Sequence, residues 1–291
     1  MRIFRYLRVK KLIKKLFDFY IKSSIHVALA VVSLGYISMS IALDTANISL
    51  LIFIFSSAVV AYNFTKYFAS MPFTRTIFKQ VIFWVTVTAF LLSVFLFLDL
   101  TFLAQIITLT GGILVGLYSI PFHTKRENLR NSKGGKIYLV IISWILLTVG
   151  VPLAMNLTFN FVLFLKLFLL QGVYILVAIL PFDIRDLNID ESRLQTLPQR
   201  LGIRKVKRLG MGLLTLGVLF CGLSFGFFNP FGLSTAISFV ILALFLFFCK
   251  PTQSPYYTSF WVEAIPIIWV LFFIYFLNFN DVLFRQTNFL N

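Results

Sequence analysis

Chemistry-bearing side chains are scarce in this sequence. Its 291 residues include two cysteines, two histidines and ten carboxylates. Cys221 and Cys249 each lie inside an apolar run, so they offer neither a disulfide framework nor a zinc site. His26 and His123 stand in different segments with no metal-ligand spacing around them. No glycine-rich nucleotide loop is present. The Gly111-Gly112 pair and Gly116 fall within an apolar run, where small residues predict close helix packing. Charged residues make up only 12% of the chain against 59% hydrophobic, and a soluble domain of that composition would expose a largely apolar surface. Connections between the apolar runs stay within about thirty residues. Any chemistry must therefore take place in a membrane or at its face.

What the chain does have is apolar runs of membrane-spanning length, for which about 20 residues of helix suffice. Nine are read: Val27–Leu43, Ile48–Asn63 (continuing to about Phe68), Ile77–Leu98, Phe102–Pro121, Ile137–Ala154, Phe159–Phe182, Leu209–Phe228, Phe231–Phe248 and Phe260–Phe279. They lack the alternation of apolar and polar residues that marks a membrane barrel. The expected fold class is all-α: a polytopic membrane protein, a bundle of about nine transmembrane helices.

The net charge of +16 is distributed by topology. Of 26 lysines and arginines, 24 lie in the N-terminal segment and in the connections after spans two, four, six and eight; Lys166 and Arg285 are the exceptions. This positive-inside pattern puts the N-terminus in the cytoplasm and the C-terminus outside, as an integral multi-pass protein of a bacterial inner membrane would have them. No basic module stands apart from the membrane, so no nucleic-acid partner is expected. The domain reading is a basic cytoplasmic segment over 1–25 and a single nine-helix membrane domain over 26–291. The N-terminal segment is too basic and lacks the cleavage site of a signal peptide. Its apolar residues fall at helical spacing among lysines and arginines. That fits an amphipathic helix on anionic membrane lipid and equally a flexible basic leader that only fixes topology.

Three of the ten carboxylates, Asp183, Asp186 and Asp190, follow span six within eight positions. On a helix they would share one face at its cytoplasmic mouth. Carboxylates at a helix C-terminus need a cation. Arg185 and Arg193 could supply it in a structural ion-pair cluster. Mg²⁺ could do so in a binding site, since it is typically held by one or two carboxylates together with substrate phosphates. The spacing alone leaves both open.

The wider stretch DIRDLNIDESRLQTLPQRLG resembles the second aspartate-rich motif of the UbiA-type intramembrane prenyltransferases, D-I-x-D-x-x-x-D followed by T-L-P-x-x-x-G. Asp183, Ile184, Asp186 and Asp190 match the first part, and Thr196, Leu197, Pro198 and Gly202 the second; Ile189 stands where the family often has glycine. LYSIPFHTKRENLRN after span four is similar to the family's Y-S/P-x-P with following basic residues, through Tyr118, Ser119, Pro121, Lys125 and Arg126. The resemblance implies a prenyl diphosphate as partner, held through Mg²⁺ between two aspartate motifs, and transfer of the isoprenoid chain to an acceptor that the sequence leaves unknown. It further implies Asp183, Asp186 and Asp190 as metal ligands. Asn63, Lys66, Tyr118, Lys125, Arg126 and Arg185 would contact the substrate. The family's first motif, N-D-x-x-D-x-x-x-D, is degenerate here: in AYNFTKYFASM only Asn63 remains, and Phe64, Tyr67 and Met71 replace the aspartates. Lys66 is new, close to where one metal would sit, and could contact the diphosphate directly. That leaves either a transferase using one ion rather than two or a non-catalytic isoprenoid-binding relic.

Glu263, inside span nine, is a candidate catalytic residue beside Lys66, because an intramembrane carboxylate is costly to bury. It could orient or deprotonate the acceptor, or pair with an arginine. Lys166 is read as snorkelling to the outer interface, and Pro266 as kinking span nine. A small-molecule transporter is the remaining alternative, and would place polar residues across the bilayer midplane. The ionisable groups gather instead at the cytoplasmic ends of spans two, four, six and nine. The topology makes a direct prediction: in intact cells an impermeant thiol reagent should label Asn229→Cys and not Ser132→Cys. The opposite pattern would invert the bundle.

Overall fold

The computed structural model describes residues 2–43, 47–67, 76–120, 135–156, 158–189 and 194–288. Among them are nine helices long and apolar enough to cross a membrane, and no strand. Helix is the form these runs must take: lipid offers no water to a backbone N–H or C=O, and a helix satisfies both internally. An N-terminal helix α1 (Arg2–Lys22) precedes α2 (Ile25–Leu43), α3 (Ile48–Tyr67), α4 (Ile77–Phe97) and α5 (Phe102–Ser119). Helix α6 (Gly135–Ile145) passes through a π-helical turn, Leu146–Gly150, into α7 (Val151–Ala154). Then come α8 (Phe161–Arg185), a short α9 (Leu197–Leu201), α10 (Ile203–Phe225), α11 (Pro230–Phe248) and α12 (Ile265–Asn288), the last entered through a second π-helical turn, Tyr257–Val262.

Several boundaries differ from the sequence expectation. Span six runs on to Arg185 and then tightens into a 3-10 turn, Asp186–Asn188. Span seven begins at Ile203, so the basic IRKVKR stretch is its first turns rather than a connection. The T-L-P-x-x-x-G stretch is α9 itself. The backbone N–H of Thr196 donates to Gln199 Oε1 at 3.0 Å, Pro198 sits in the first turn, and Gly202 adopts φ 78° to reverse the chain into α10. Span nine is interrupted at the π-turn, upstream of Pro266.

The two ends of the bundle are tied differently. At the end where α3, α5, α8 and α11 begin, side-chain oxygens cap the helices. Asn47 accepts from Leu50 N–H (3.0 Å), Thr101 from Ala104 (3.3 Å), Asn160 from Leu163 (2.9 Å) and Asn229 from Gly232 (2.6 Å). Lys166 also lies at this end. Its Nζ donates to the Ser224 carbonyl at 3.5 Å, helping to satisfy the C-terminus of α10.

Two hydrophobic clusters meet along α2, the most buried of the spans. One is built on α8, α10, α11 and α12 around Tyr174, Phe231, Phe239 and Trp269; the other joins α2, α3, α4 and α5. A polar knot crosses the seam. Gln171 of α8, 1% exposed, donates from Nε2 to Ser38 Oγ (2.8 Å) and to the Leu34 carbonyl (3.1 Å) on α2. Its Oε1 accepts from Thr148 Oγ1 (2.7 Å) in the π-turn after α6. Three elements are thereby fixed at one depth. Gln171→Leu should destabilise the bundle by about 1–3 kcal/mol, the usual result of stranding buried hydrogen-bonding groups. Denaturant titration in detergent measures this, and an unchanged midpoint would assign the knot no role.

Candidate functional site

At the opposite end from the capped N-termini, the second π-turn acts as a hub. A π-turn leaves a helix locally wide, and here its groups turn towards α8 and α2. Arg185, at the end of α8, donates from NH1 to Thr258 Oγ1 at 2.5 Å. His26, at the start of α2, meets the Phe260 carbonyl through Nε2 at 2.8 Å. A carbonyl only accepts, so Nε2 carries the proton and, in the neutral ring, Nδ1 accepts from Tyr20 OH at 2.8 Å. Burial, and then the charge of Glu263, raise the Tyr20 phenol above its ordinary pKa, so it stays protonated as that donor requires. Glu263 follows the π-turn directly, its backbone N–H bonded to the Thr258 carbonyl at 3.2 Å.

The expected site residues divide. Lys66 and Arg185 both lie within electrostatic range of Glu263. Lys66 is further held by its Nζ donating to Ser24 Oγ (3.0 Å) and by the Tyr62 ring, 5.8 Å from centroid to ammonium. Asp183, 5% exposed, ends the last full turn of α8. Of the helical stripe expected for the aspartates, Asp183 lies within α8, but the α-helix stops at Arg185 and Asp186 opens the 3-10 turn. Arg185 grips Asp186 with both oxygens engaged, Nε to Oδ1 at 2.7 Å and NH2 to Oδ2 at 2.8 Å. Asn63 is turned to α4, donating to Thr86 Oγ1 at 2.8 Å, while its Oδ1 is buried without a hydrogen-bond partner among the described residues. Lys125, Arg126 and Asp190 lie outside the described residues.

An apolar groove of about 820 Å³ runs between α3, α4, α5 and α6 and reaches Thr65, the residue before Lys66. Tyr62, Thr65 and Tyr118 line it towards the mouth, and Phe53, Phe97 and Ile107 at depth. From Phe53 to Thr65 it follows α3 for about 18 Å at ~1.5 Å per residue. Of the glycines of α5, Gly111 stands against Leu146, where a Cβ would be at contact distance (3.8 Å), while Gly112 and Gly116 contribute space rather than the close packing expected of them. A Cβ at Gly112 would meet nothing within 4 Å, and one at Gly116 only Ile120 of its own turn. Sequence reasoning missed this role, and missed Ser24, His26 and Thr258 as partners of the charged cluster. The π-turn that presents Thr258 has no strong signature in YYTSFWVEAIP.

The metal expectation can be weighed on the donor set. At the second motif it fits: carboxylate oxygens suit a hard cation such as Mg²⁺, and the Arg185 guanidinium already stands where Asp186 meets positive charge. At the first motif it does not fit. Lys66 brings a cation and Asn63 is committed to Thr86. No group of three histidine, cysteine or carboxylate side chains able to hold a metal is found among the described residues.

No family model matches the sequence, and no curated protein is significantly similar to it. Solved structures are. A UbiA homologue from Archaeoglobus fulgidus bound to GPP and Mg²⁺ aligns over 90% of this chain and 99% of its own, with a TM-score of 0.61 and 10% identity. A UbiA homologue from the same organism bound to DMAPP and Mg²⁺ gives 0.57 and 9% over the same shares. A structure of digeranylgeranylglyceryl phosphate synthase gives 0.53 and 16%, over 90% of this chain and 98% of that one. The match along nearly the whole of both chains, with nine membrane-length helices among the described residues, gives this protein the fold of the UbiA-type intramembrane prenyltransferases.

Proposed function

We propose that this protein is a membrane prenyltransferase that seats an isoprenoid diphosphate with its chain in the α3–α6 groove and its head at the charged mouth. The observation that carries the reading is the apolar groove of about 820 Å³ that reaches Thr65, the residue before Lys66, in a fold shared with structures bound to prenyl diphosphates. The groove excludes water from the carbon that becomes cationic. The bond from that carbon to the diphosphate breaks with its electron pair leaving on oxygen, and Lys66 neutralises the departing charge. The acceptor atom bonds to the same carbon, and its proton passes to the Glu263 carboxylate. Asp183 and Asp186, with Asp190, would hold Mg²⁺, which would supply further charge stabilisation for the diphosphate. The mouth faces the cytoplasm on the positive-inside reading.

A second reading, a binder of isoprenoid lipid without transfer, is supported by the two-point Arg185–Asp186 pair and by the absence of carboxylates from the first motif. Binding of geranylgeranyl diphosphate to the purified protein across a Mg²⁺ titration tests the head group. Lys66→Ala should weaken binding about ten- to hundred-fold, the equivalent of one charge-assisted contact. Asp183→Ala should remove the Mg²⁺ dependence. Equal binding by wild type and both variants, indifferent to chelator, would leave only the lipid-binding reading. A separate variant tests the chain site. Gly112→Leu projects a side chain into open groove, so it should leave the melting temperature unchanged while reducing binding of geranylgeranyl diphosphate more than that of inorganic diphosphate. Loss of both in parallel, or of neither, would detach the groove from the function.

A further inference from the structure

The N-terminal helix carries a surface that the bundle does not use. In α1, Leu12, Ile13 and Leu16 are 56%, 60% and 60% exposed. At ~100° per residue they fall within about 100° of helical arc. Lys10, Lys11, Lys14 and Lys15, also exposed, occupy a separate sector of about 140°. The helix is thus apolar on one side and basic on the other just where it extends beyond the bundle.

Its other end is clamped. Phe17 packs on Tyr256 and Phe260 of the second π-turn, with ring centroids at 5.4 and 5.0 Å. Phe19, two residues on, meets Phe78 of α4 at 5.8 Å. Asp18 accepts a hydrogen bond from Tyr256 OH, and the Lys22 carbonyl accepts one from Tyr67 OH at 2.9 Å. Contacts to α12's π-turn on one side and to α3 and α4 on the other lay the last turns of α1 across the end of the bundle. Ser24 then breaks the helix. Its φ of 65° is a left-handed conformation that a residue with a side chain adopts at a cost, so α1 does not continue along the α2 axis. A flexible leader would make none of these contacts.

We propose that α1 is a docking surface for the anionic leaflet of the membrane that holds the bundle. Leu12, Ile13 and Leu16 enter the headgroup–acyl boundary and the four lysines pair with lipid phosphates. Charge complementarity selects this occupant. The exposed stretch from Lys10 to Leu16 carries four cations and no acid, and a basic amphipathic helix held against a membrane end by its neighbours meets lipid before any other partner. Ser24, two residues beyond α1, is the partner of Lys66, so the docked helix ends next to a residue of the candidate site.

The test uses the full chain in vesicles of phosphatidylcholine alone or mixed with phosphatidylglycerol. A nitroxide is placed at Leu16→Cys, and its accessibility to oxygen and to a water-soluble nickel relaxant is read. The native thiols should not compete: both are about 1% exposed, and burial raises the Cys249 thiol above its ordinary pKa. The label should be oxygen-accessible and shielded from nickel in the anionic vesicles, and nickel-accessible in the neutral ones. Replacing Lys10, Lys11, Lys14 and Lys15 by glutamine should reverse immersion, each lysine changing the immersed-to-exposed ratio roughly five-fold. Added salt should act in the same direction on the unmutated lysines without any risk to folding. A label in water in both lipids, or immersed equally in both, would overturn the proposal. So would a label immobilised by dipolar coupling to a second copy, or one shielded only when a soluble protein is added.

Discussion

The arrangement of this bundle depends on one buried amide. Gln171 sits where α8, α2 and the π-turn after α6 meet, and all of its hydrogen-bonding capacity used in the structure is directed at those two neighbours. In lipid there is no hydrophobic drive to bring helices together, so van der Waals fit and polar contacts of this kind set their register. The consequence for function is local. Thr148, which reaches Gln171, follows directly on Leu146 and Leu147, and those two form part of the groove wall. A wide turn in α6 thus faces the amide with one group and the cavity with others. Fixing Thr148 fixes the wall.

A second π-turn does for the mouth what the first does for the groove. Around Tyr257–Val262 the chain opens enough for a carbonyl to reach His26 and for Thr258 to reach Arg185, and Glu263 emerges among cations. The cations there are already engaged. Arg185 is matched by Asp186, and Lys66 is held by the Ser24 hydroxyl. An anionic ligand arriving at such a mouth competes with partners already in place. Selectivity would then come from replacing partners rather than from filling an empty positive pocket, since a buried charge without a partner is costly.

The fold was legible because apolar run length is a nearly sufficient signal in lipid. The residues singled out for the candidate site, Asp183, Asp186, Lys66 and Glu263, stood out because ionisable residues are conspicuous in so apolar a chain. The misreadings have physical causes. Periodicity placed Asp186 on the α8 face, but helix termination is decided by the turn that follows. Gly112 and Gly116 look alike whether a neighbouring helix or a cavity stands opposite, and only the tertiary arrangement distinguishes the two. Ser24 and Thr258 are ordinary residues until a left-handed corner and a π-turn aim them. The capping residues were readable in principle: Asn47, Thr101, Asn160 and Asn229 each stand just ahead of an apolar run.

Helices α4 and α5 share a tight corner at residues 98–101, yet they pack little against each other along their lengths and are the least embedded of the spans. Both line the groove, and Phe90, Leu109 and Ile113 there remain more than half exposed. The groove therefore has a flank that faces hydrocarbon rather than protein. A ligand with a long apolar tail need not cross the water to reach it. Its occupancy would follow its mole fraction in the bilayer instead of its concentration in solution, so that lipid composition sets the apparent affinity. Two molecules with equal intrinsic fit would then be discriminated by how strongly each partitions into the membrane.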